Sequence, residues 1–247
     1  MQLSKPGIVK LPKKNIKKMI AVVSGKGGVG KSTMTALIAN ELASTGHSVG
    51  ILDADVGGAS IANLYGLTKN DLDGWLATTK NGIKVLSFAL LAKDKERASI
   101  WRGALVTNAI KQIYTQLDFG ELDYLIIDSP PGTSDMPLTL YQFFPLDGVV
   151  VVTSPHSISQ DVVDRSVTMI NRMNVPILGL IENMSYFVCK NCNEKHFLFG
   201  KPKDIAEKFN VKFITHIPMD QTLSELEERG KIYDYISEEI GSLIKAL

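Results

Sequence analysis

Met19-Ile-Ala-Val-Val-Ser24 runs without a break into Gly25-Lys26-Gly27-Gly28-Val29-Gly30-Lys31-Ser32-Thr33, and a helical pattern over Lys31–Ser44 follows at once. An apolar, β-branched run ending in a glycine-rich loop and then a helix is the local order that a phosphate-binding turn requires. The glycines let successive backbone N–H groups curl around phosphate oxygens, Lys31 reaches the β and γ oxygens, and the Ser32 hydroxyl is suited to ligate Mg²⁺. The helix opening after Gly30 adds the positive end of its dipole. Gly25, Lys26, Gly27, Gly28, Val29, Gly30, Lys31, Ser32 and Thr33 are therefore the candidate nucleotide-binding residues. Gly25, Gly27 and Gly30 also spell a dinucleotide fingerprint, with Asp53 near where a ribose-binding acid belongs. Lys31-Ser32 directly after the last glycine decides for a nucleoside triphosphate, because the dinucleotide motif does not need that pair.

The alternation of short apolar runs with longer amphipathic segments continues along the whole chain. Strands are expected at Met19–Ser24, Ser48–Asp53, Lys84–Phe88, Tyr124–Asp128, Gly148–Thr153, Pro176–Glu182 and Lys212–His216. Helices are expected at Lys31–Ser44, Trp101–Leu117, Pro137–Phe144, Ile158–Met173, Lys203–Phe209, Thr222–Arg229 and Tyr233–Lys245. This order predicts a doubly wound α/β fold, a mostly parallel sheet of about seven strands forming one P-loop domain over 19–247. Asn183–Gly200 carries both cysteines and too little periodicity for either regular element, so it reads as an insertion, near 184–200, projecting from a strand end.

Of 247 residues, 27 are Lys or Arg and 26 Asp or Glu, and 45% are hydrophobic, so the chain has material for a sizeable core and is not a disordered segment. Two cysteines are too few for a disulfide scaffold. Six lysines and no acid occupy residues 1–18, which reads as a solvated, flexible basic leader before a mildly acidic body. The leader has neither the apolar core of a secretory signal nor the arginines of a transit peptide, so a cytoplasmic location is expected. Neither nucleic acid nor a membrane is expected as partner: no aromatic-interleaved basic surface stands out, and the purest apolar stretch, Val149–Val152, is only strand-sized.

A magnesium-dependent P-loop needs a carboxylate at the end of a second strand. Tyr124-Leu-Ile-Ile-Asp128 delivers Asp128 to the carboxyl edge of the sheet, where open α/β sheets bind ligands. Asp53-Ala54-Asp55 ends another strand, which suggests Asp53 near the metal and Asp55 near the attacking water. The segment Ser129–Asp135 is a glycine-containing loop suited to sensing the γ-phosphate. Lys31, Asp55 and Asp128, with Lys26, are the catalytic candidates; no strong general base is evident, so slow hydrolysis is expected.

Cys189-Lys190-Asn191-Cys192 admits three readings. A redox pair needs the motif to open a helix, which residues 193–199 do not resemble. A metal or cluster needs about four ligands, and the chain offers two sulfurs and His196, four residues after Cys192. A two-fold dimer would supply Cys₄, suited to Zn²⁺ or to a [4Fe–4S] cluster, and spacing alone does not separate the two. Two unliganded thiols are the third reading.

Gly-Lys-Gly-Gly-Val-Gly-Lys-Ser-Thr resembles the deviant Walker A of the MinD-like ATPases. That resemblance implies that ATP stabilises a face-to-face homodimer in which Lys26 contacts the partner's nucleotide. Glu182-Asn-Met-Ser-Tyr-Phe-Val-Cys189 with Cys192, Asp53-Ala-Asp-Val, Trp101-Arg102-Gly103, Asp123-Tyr-Leu-Ile-Ile-Asp-Ser-Pro-Pro-Gly-Thr, Asn174-Val-Pro-Ile-Leu-Gly and Ile217-Pro-Met-Asp are similar to the Mrp/ApbC family of iron–sulfur carrier ATPases. The family implies an ATPase that holds a transient [4Fe–4S] cluster between protomers through Cys189 and Cys192 and passes it to apo iron–sulfur proteins. It also implies that Asn183 contacts the nucleotide near the base, and that Ser32, Asp53 and Asp128 serve Mg²⁺. Gly57-Gly58-Ala59, Ala104 and Ser134 depart from the family pattern, which bears on hydrolysis rate and switch geometry. A MinD/ParA-like positioning switch, its cysteines on structural zinc or unliganded, is the alternative function.

Overall fold

The computed structural model describes residues 9–55, 60–91, 104–132, 135–155, 160–199 and 214–246. All seven expected strands form, as β1 (Ile16–Ser24), β2 (Val49–Asp53), β5 (Lys84–Ser87), β6 (Leu122–Asp128), β7 (Gly148–Thr153), β8 (Ile177–Val188) and β10 (Ile214–Pro218). Three short strands join them, β3 (Leu72–Asp73), β4 (Leu76–Thr78) and β9 (Lys195–His196), raising the described total to ten. Pieces of two or three residues are too short to carry a period-2 signal, which is why the alternation yielded only seven.

The sheet order is β10-β8-β7-β1-β6-β2-β5-β4-β3, with β9 on the far end of β8. From β10 to β5 every pairing is parallel; β4 and β3 continue antiparallel at one edge. β2 and β7 are buried throughout their length and β6 over its last four residues, so they read as unbroken Val, Ile and Leu runs.

The described helices are α1 (Lys31–Ser44), α2 (Ile61–Leu64), α3 (Phe88–Leu91), α4 (Ala104–Gln116), α5 (Asp135–Phe143), α6 (Gln160–Arg172), α7 (Gln221–Glu228) and α8 (Glu238–Ala246). They cover both sheet faces. Met19, Ala21 and Val23 of β1 join Tyr114 of α4, Leu140 of α5 and Ile170 of α6 in one core; Ile20 and Val22 join Leu37 and Ile38 of α1 and Leu243 of α8 in the other. Alternate residues of one strand thus feed opposite cores. The chain leaves β1 toward β2 on one side, and later passes from β6 across β1 to β7 on the other. That reversal creates a crevice at the carboxyl end of β1, where doubly wound sheets bind ligands.

Three segments differ from their expectation. Of the expected insertion, residues 183–196 are not irregular: β8 runs on through Val188 and turns back into β9, so the cysteines sit in a hairpin turn. Burial on both faces hides the strand period there, Asn183 and Ser185 being buried polar residues within it. The C-terminal helical pattern splits into a 3₁₀ turn at Ile232–Asp234 and α8, because Tyr235 is extended and reaches Asp220 with its hydroxyl (2.8 Å). β1 begins at Ile16, inside the segment expected to be a flexible leader, and Lys13, Lys14 and Lys17 have partners. Lys14 Nζ donates to the carbonyls of Tyr114 (2.6 Å), Thr115 (3.0 Å) and Leu117, serving the open C-terminal end of α4. Lys13 pairs with Asp147 and Lys17 with Asp123, each at 2.7 Å. The expected helix at Lys203–Phe209, the Trp101-Arg102-Gly103 motif, Val56 to Ala59, and Thr133 and Ser134 lie outside the described residues.

Phe144, fully buried, packs its ring 5.0 Å from that of Tyr114 where α4 meets the end of α5. Phe144→Ala leaves a cavity between well-packed layers and is expected to cost about 3–5 kcal/mol, read as a lowered urea midpoint.

Candidate functional site

The loop after β1 opens α1 at Gly30, whose φ of +79° only glycine adopts without strain. The side chain of Asn183, on β8, closes over this glycine: a Cβ at Gly30 would lie 2.2 Å from Asn183 Nδ2. Asn183 Nδ2 donates to the Val29 carbonyl at 3.0 Å and is buried, so the loop is clasped from β8, the second strand over from β1. The loop borders a cleft of about 580 Å³ whose lining includes Gly28, Lys31, Ser32, Asp55, Pro131 and Glu227. Ser24 Oγ, buried and with no hydrogen-bond partner in the structure, belongs to the same wall. Lys26 is exposed on the outer side of the loop.

Beneath the loop, the parallel register sets Asp53 of β2 beside Asp128 of β6. Asp128 is fully buried and accepts three hydrogen bonds: Lys31 Nζ (2.5 Å), Ser32 Oγ (2.6 Å) and Thr35 Oγ1 (3.0 Å). Lys31, also buried, lies 3.7 Å from Asp55. Asp53 accepts from Ser87 Oγ at 2.9 Å and from the Asp55 N–H at 3.3 Å. Burial, together with the charge of Asp128, pushes the Asp53 carboxyl up to about 8. The cluster therefore joins one ammonium, three carboxyl groups and the hydroxyls of Ser32, Thr35 and Ser87 at one sheet edge. Its oxygens form the hard donor set that Mg²⁺ takes, with Ser32 Oγ and Asp128 Oδ2 already converging.

A second hollow of about 470 Å³ adjoins the first, sharing Gly28, Gly30, Thr33 and Glu227 with it. Its far wall is Asn183, Met184, Pro218, Met219, Asp220 and Gln221. Thr33 Oγ1 donates to Glu227 of α7, and Asp220 caps α7 by accepting from the Thr222 N–H at 2.7 Å. Two connected hollows, one polar at the loop and one walled by Met184, Pro218 and Met219, suit a phosphate chain with an attached base.

At the other end of β8, the Cys189 N–H donates to the Glu194 carbonyl (3.0 Å) and the Asn193 N–H to the Cys189 carbonyl (2.8 Å). Asn193 takes φ +56° to close the turn. The two Sγ atoms and a ring nitrogen of His196 all lie within 4.8 Å of one another. Backbone N–H groups of Cys192 and Asn191 hold the Cys189 thiol below its ordinary value. The chain continues from Cys192 into β9 rather than a helix, so the helix dipole of a redox pair is lacking. Val188, Leu198 and Phe199 are exposed apolar residues on the same hairpin.

Every sequence-derived site residue thus falls at one of two places, the crevice at the end of β1 or the hairpin beyond β8. Sequence reasoning missed Thr35, Ser87, Ser24 and Glu227. Thr35 sits one helical turn after Lys31 on the same face, a signal that was available. Glu227 is 194 positions from Thr33, and nothing local announces it. His216 lies on β10 and contacts buried Glu182 through Nδ1 at 3.1 Å.

A family model described as ParA, NUBPL iron-transfer P-loop NTPase, matches residues 15–246. The iron-sulfur cluster carrier protein of Clostridium perfringens is 40% identical over 238 residues, 91% of this chain and 84% of its own length. The iron-sulfur cluster transfer protein NUBPL of Dictyostelium discoideum is 41% identical over 92% of this chain and 72% of its own length. Among solved structures, the nucleotide-binding protein of Archaeoglobus fulgidus in complex with ADP, with Co found, matches at a TM-score of 0.81 and 40% identity, covering 92% and 91% of the two chains. The cell division ATPase MinD of Pyrococcus furiosus matches at 0.68 and 21% identity over 93% and 96%, a likeness of fold alone.

The raised Asp53 carboxyl binds a proton in the folded state that the unfolded chain has released between about pH 4 and pH 8. Folded stability therefore falls as pH rises through that window. Asp53→Asn, which can keep accepting from Ser87, is expected to flatten this dependence, seen in urea denaturation of the metal-free protein at pH 5, 6.5 and 8.

Proposed function

The chain belongs to the NUBPL iron-transfer P-loop NTPases, and on that premise we propose that it binds and hydrolyses ATP while carrying an iron–sulfur cluster between two protomers for delivery to apo iron–sulfur proteins. One observation carries the reading. β8 holds Asn183 against the P-loop and ends one residue before Cys189, so the nucleotide crevice and the cysteine turn share a strand. Five residues, Met184 to Val188, lie between them, a reach of at most about 20 Å along an extended chain.

Gly25 to Thr33 cradle the phosphates with backbone N–H groups, and the unpartnered Ser24 hydroxyl supplies a further polar contact on that wall. Lys31 turns from Asp128 to the β and γ oxygens, which leaves Asp128 and Ser32 for Mg²⁺, with Asp53 behind them. Mg²⁺ held there would supply positive charge against that developing on the transferred phosphoryl group. Asp55 faces the attacking water, and Asn183 with the hollow beyond it receives the base. Lys26, exposed, reaches the nucleotide of the partner in a homodimer closed around ATP. Positioning supplies most of the rate and turnover is slow.

Cys189 and Cys192 of two protomers supply the four thiolates of a [4Fe–4S] cluster, the cargo of the reaction. Exposure of the turn lets a second copy approach it, and lets the cluster leave toward a recipient. Among the described residues no helix is long and apolar enough to cross a membrane.

Lys31→Ala is expected to abolish ATP binding by calorimetry; undiminished affinity would remove the P-loop assignment. Anaerobic reconstitution with iron and sulfide is expected to give about four irons and four sulfides per dimer, lost in Cys189→Ser. Zinc alone, or a cluster that survives Cys189→Ser, would overturn the carrier reading.

A further inference from the structure

We propose that His196 is a third metal ligand, so that a single protomer, without its partner, holds one borderline divalent cation, Zn²⁺ or Fe²⁺, on Cys189, Cys192 and the imidazole. The inference rests on the reading that the cysteine pair binds metal. It goes beyond that reading in giving each protomer a mononuclear site of its own, distinct from the shared four-thiolate cluster.

The geometry comes from the hairpin. In an extended ladder, residues two apart point to the same side, and the Cys189 N–H bond to the Glu194 carbonyl carries the pairing one residue past β8, so Cys189 lies on the face of Phe187. His196 is the cross-strand partner of Phe187, which puts the imidazole on that face too. The two rings stack, their centroids 5.0 Å apart and their planes 16° from parallel, and this packing holds the imidazole toward the turn. Asn193 in the left-handed region turns the chain sharply enough to bring Cys192 back over Cys189, and the three donor atoms fall within 4.8 Å of one another. A tetrahedral site with metal–sulfur bonds near 2.3 Å and metal–nitrogen bonds near 2.0 Å sets its donors about 3.5–3.8 Å apart, within reach of small side-chain rotations.

The donor chemistry selects the ion. Two thiolates and a neutral imidazole suit zinc or ferrous iron and reject Mg²⁺ and Ca²⁺, which take oxygen. Three protein ligands leave the fourth position open, the arrangement of zinc sites that exchange a ligand, whereas closed four-ligand sites are structural. Cys192 and His196 are exposed, so the open position faces solvent. Glu194, whose carboxylate accepts from the Cys192 thiol at 3.8 Å, stands at its rim.

The test uses Co²⁺ as the probe on the full-length, metal-free, nucleotide-free protein under anaerobic conditions, in its monomeric fraction. One Co²⁺ per protomer is expected, with thiolate charge-transfer absorption and the intense visible bands of a tetrahedral site. His196→Ala is expected to weaken Co²⁺ binding at least about ten-fold, the loss that even an outer-shell partner produces, and to shift the visible bands. His196→Cys is expected to restore affinity with stronger charge transfer. Because His196 is exposed, ATP affinity of the same preparations is expected to stay unchanged, which separates a lost ligand from a lost fold. Half a Co²⁺ per protomer, or a His196→Ala protein with unaltered affinity and spectrum, would overturn the inference. The carrier reading is judged separately by iron and sulfide reconstitution: a cluster that forms in His196→Ala while Co²⁺ binding is unaltered sinks the histidine ligand and leaves the carrier. Histidine-dependent Co²⁺ binding in a protein that forms no cluster does the reverse.

Discussion

The buried ion pair between Lys31 and Asp128 is the constraint around which the nucleotide crevice is arranged. Removing two charges from water costs several kcal/mol per ion, and their attraction repays this only when the remaining hydrogen-bonding capacity is filled. Here Ser32 and Thr35, the residues one and four places after Lys31, fill it from the first turn of α1. The pair exists because β1 and β6 are parallel neighbours, with Val22 paired to Asp128, so the loop leaving β1 begins beside the carboxylate that ends β6. Moving β6 by one residue would turn Asp128 to the other face of the sheet and leave buried Lys31 with the more distant Asp55, at 3.7 Å, as its counter-charge.

A phosphate chain bound as proposed would compete for the same ammonium, which would link the stability of the empty cluster to ligand binding. Asp53 adds a second linkage. Its neutral form is favoured by burial and by the charge of Asp128, so any cation that enters between the two carboxylates also drives out a proton.

β8 extends this arrangement beyond the crevice. At its middle Asn183 fixes the loop through Val29, and at its end the Met219 N–H donates to the Tyr186 carbonyl at 2.7 Å, tying the strand to the wall of the second hollow. Lys195 of β9 donates to the Tyr186 hydroxyl at 3.2 Å, and that hydroxyl lies 3.1 Å from Glu239 on α8. The hairpin that carries the cysteines is thus fastened to the elements that surround the nucleotide site rather than hung from one strand. β8 thus joins the proposed nucleotide site at Asn183 to the proposed cluster site at Cys189 through one element.

The sequence by itself determined the sheet, the P-loop and the carboxylates at strand ends, since each is a local pattern: β-branched runs, glycines followed by Lys-Ser, and an acid that closes an apolar strand. Asp53, Asp128, Lys31 and the cysteine pair were all legible this way, and family resemblance added Asn183 and Lys26. Only the tertiary structure decided that residues 183–196 continue a strand and fold back, because burial of both faces erased the period that announces a strand. It alone set His196 beside the cysteines, through cross-strand pairing with Phe187, and brought Glu227 to Thr33 and Asp53 beside Asp128. Those contacts join residues far apart in the chain, and register between strands is fixed by the packing of the whole sheet, which no local window of sequence contains.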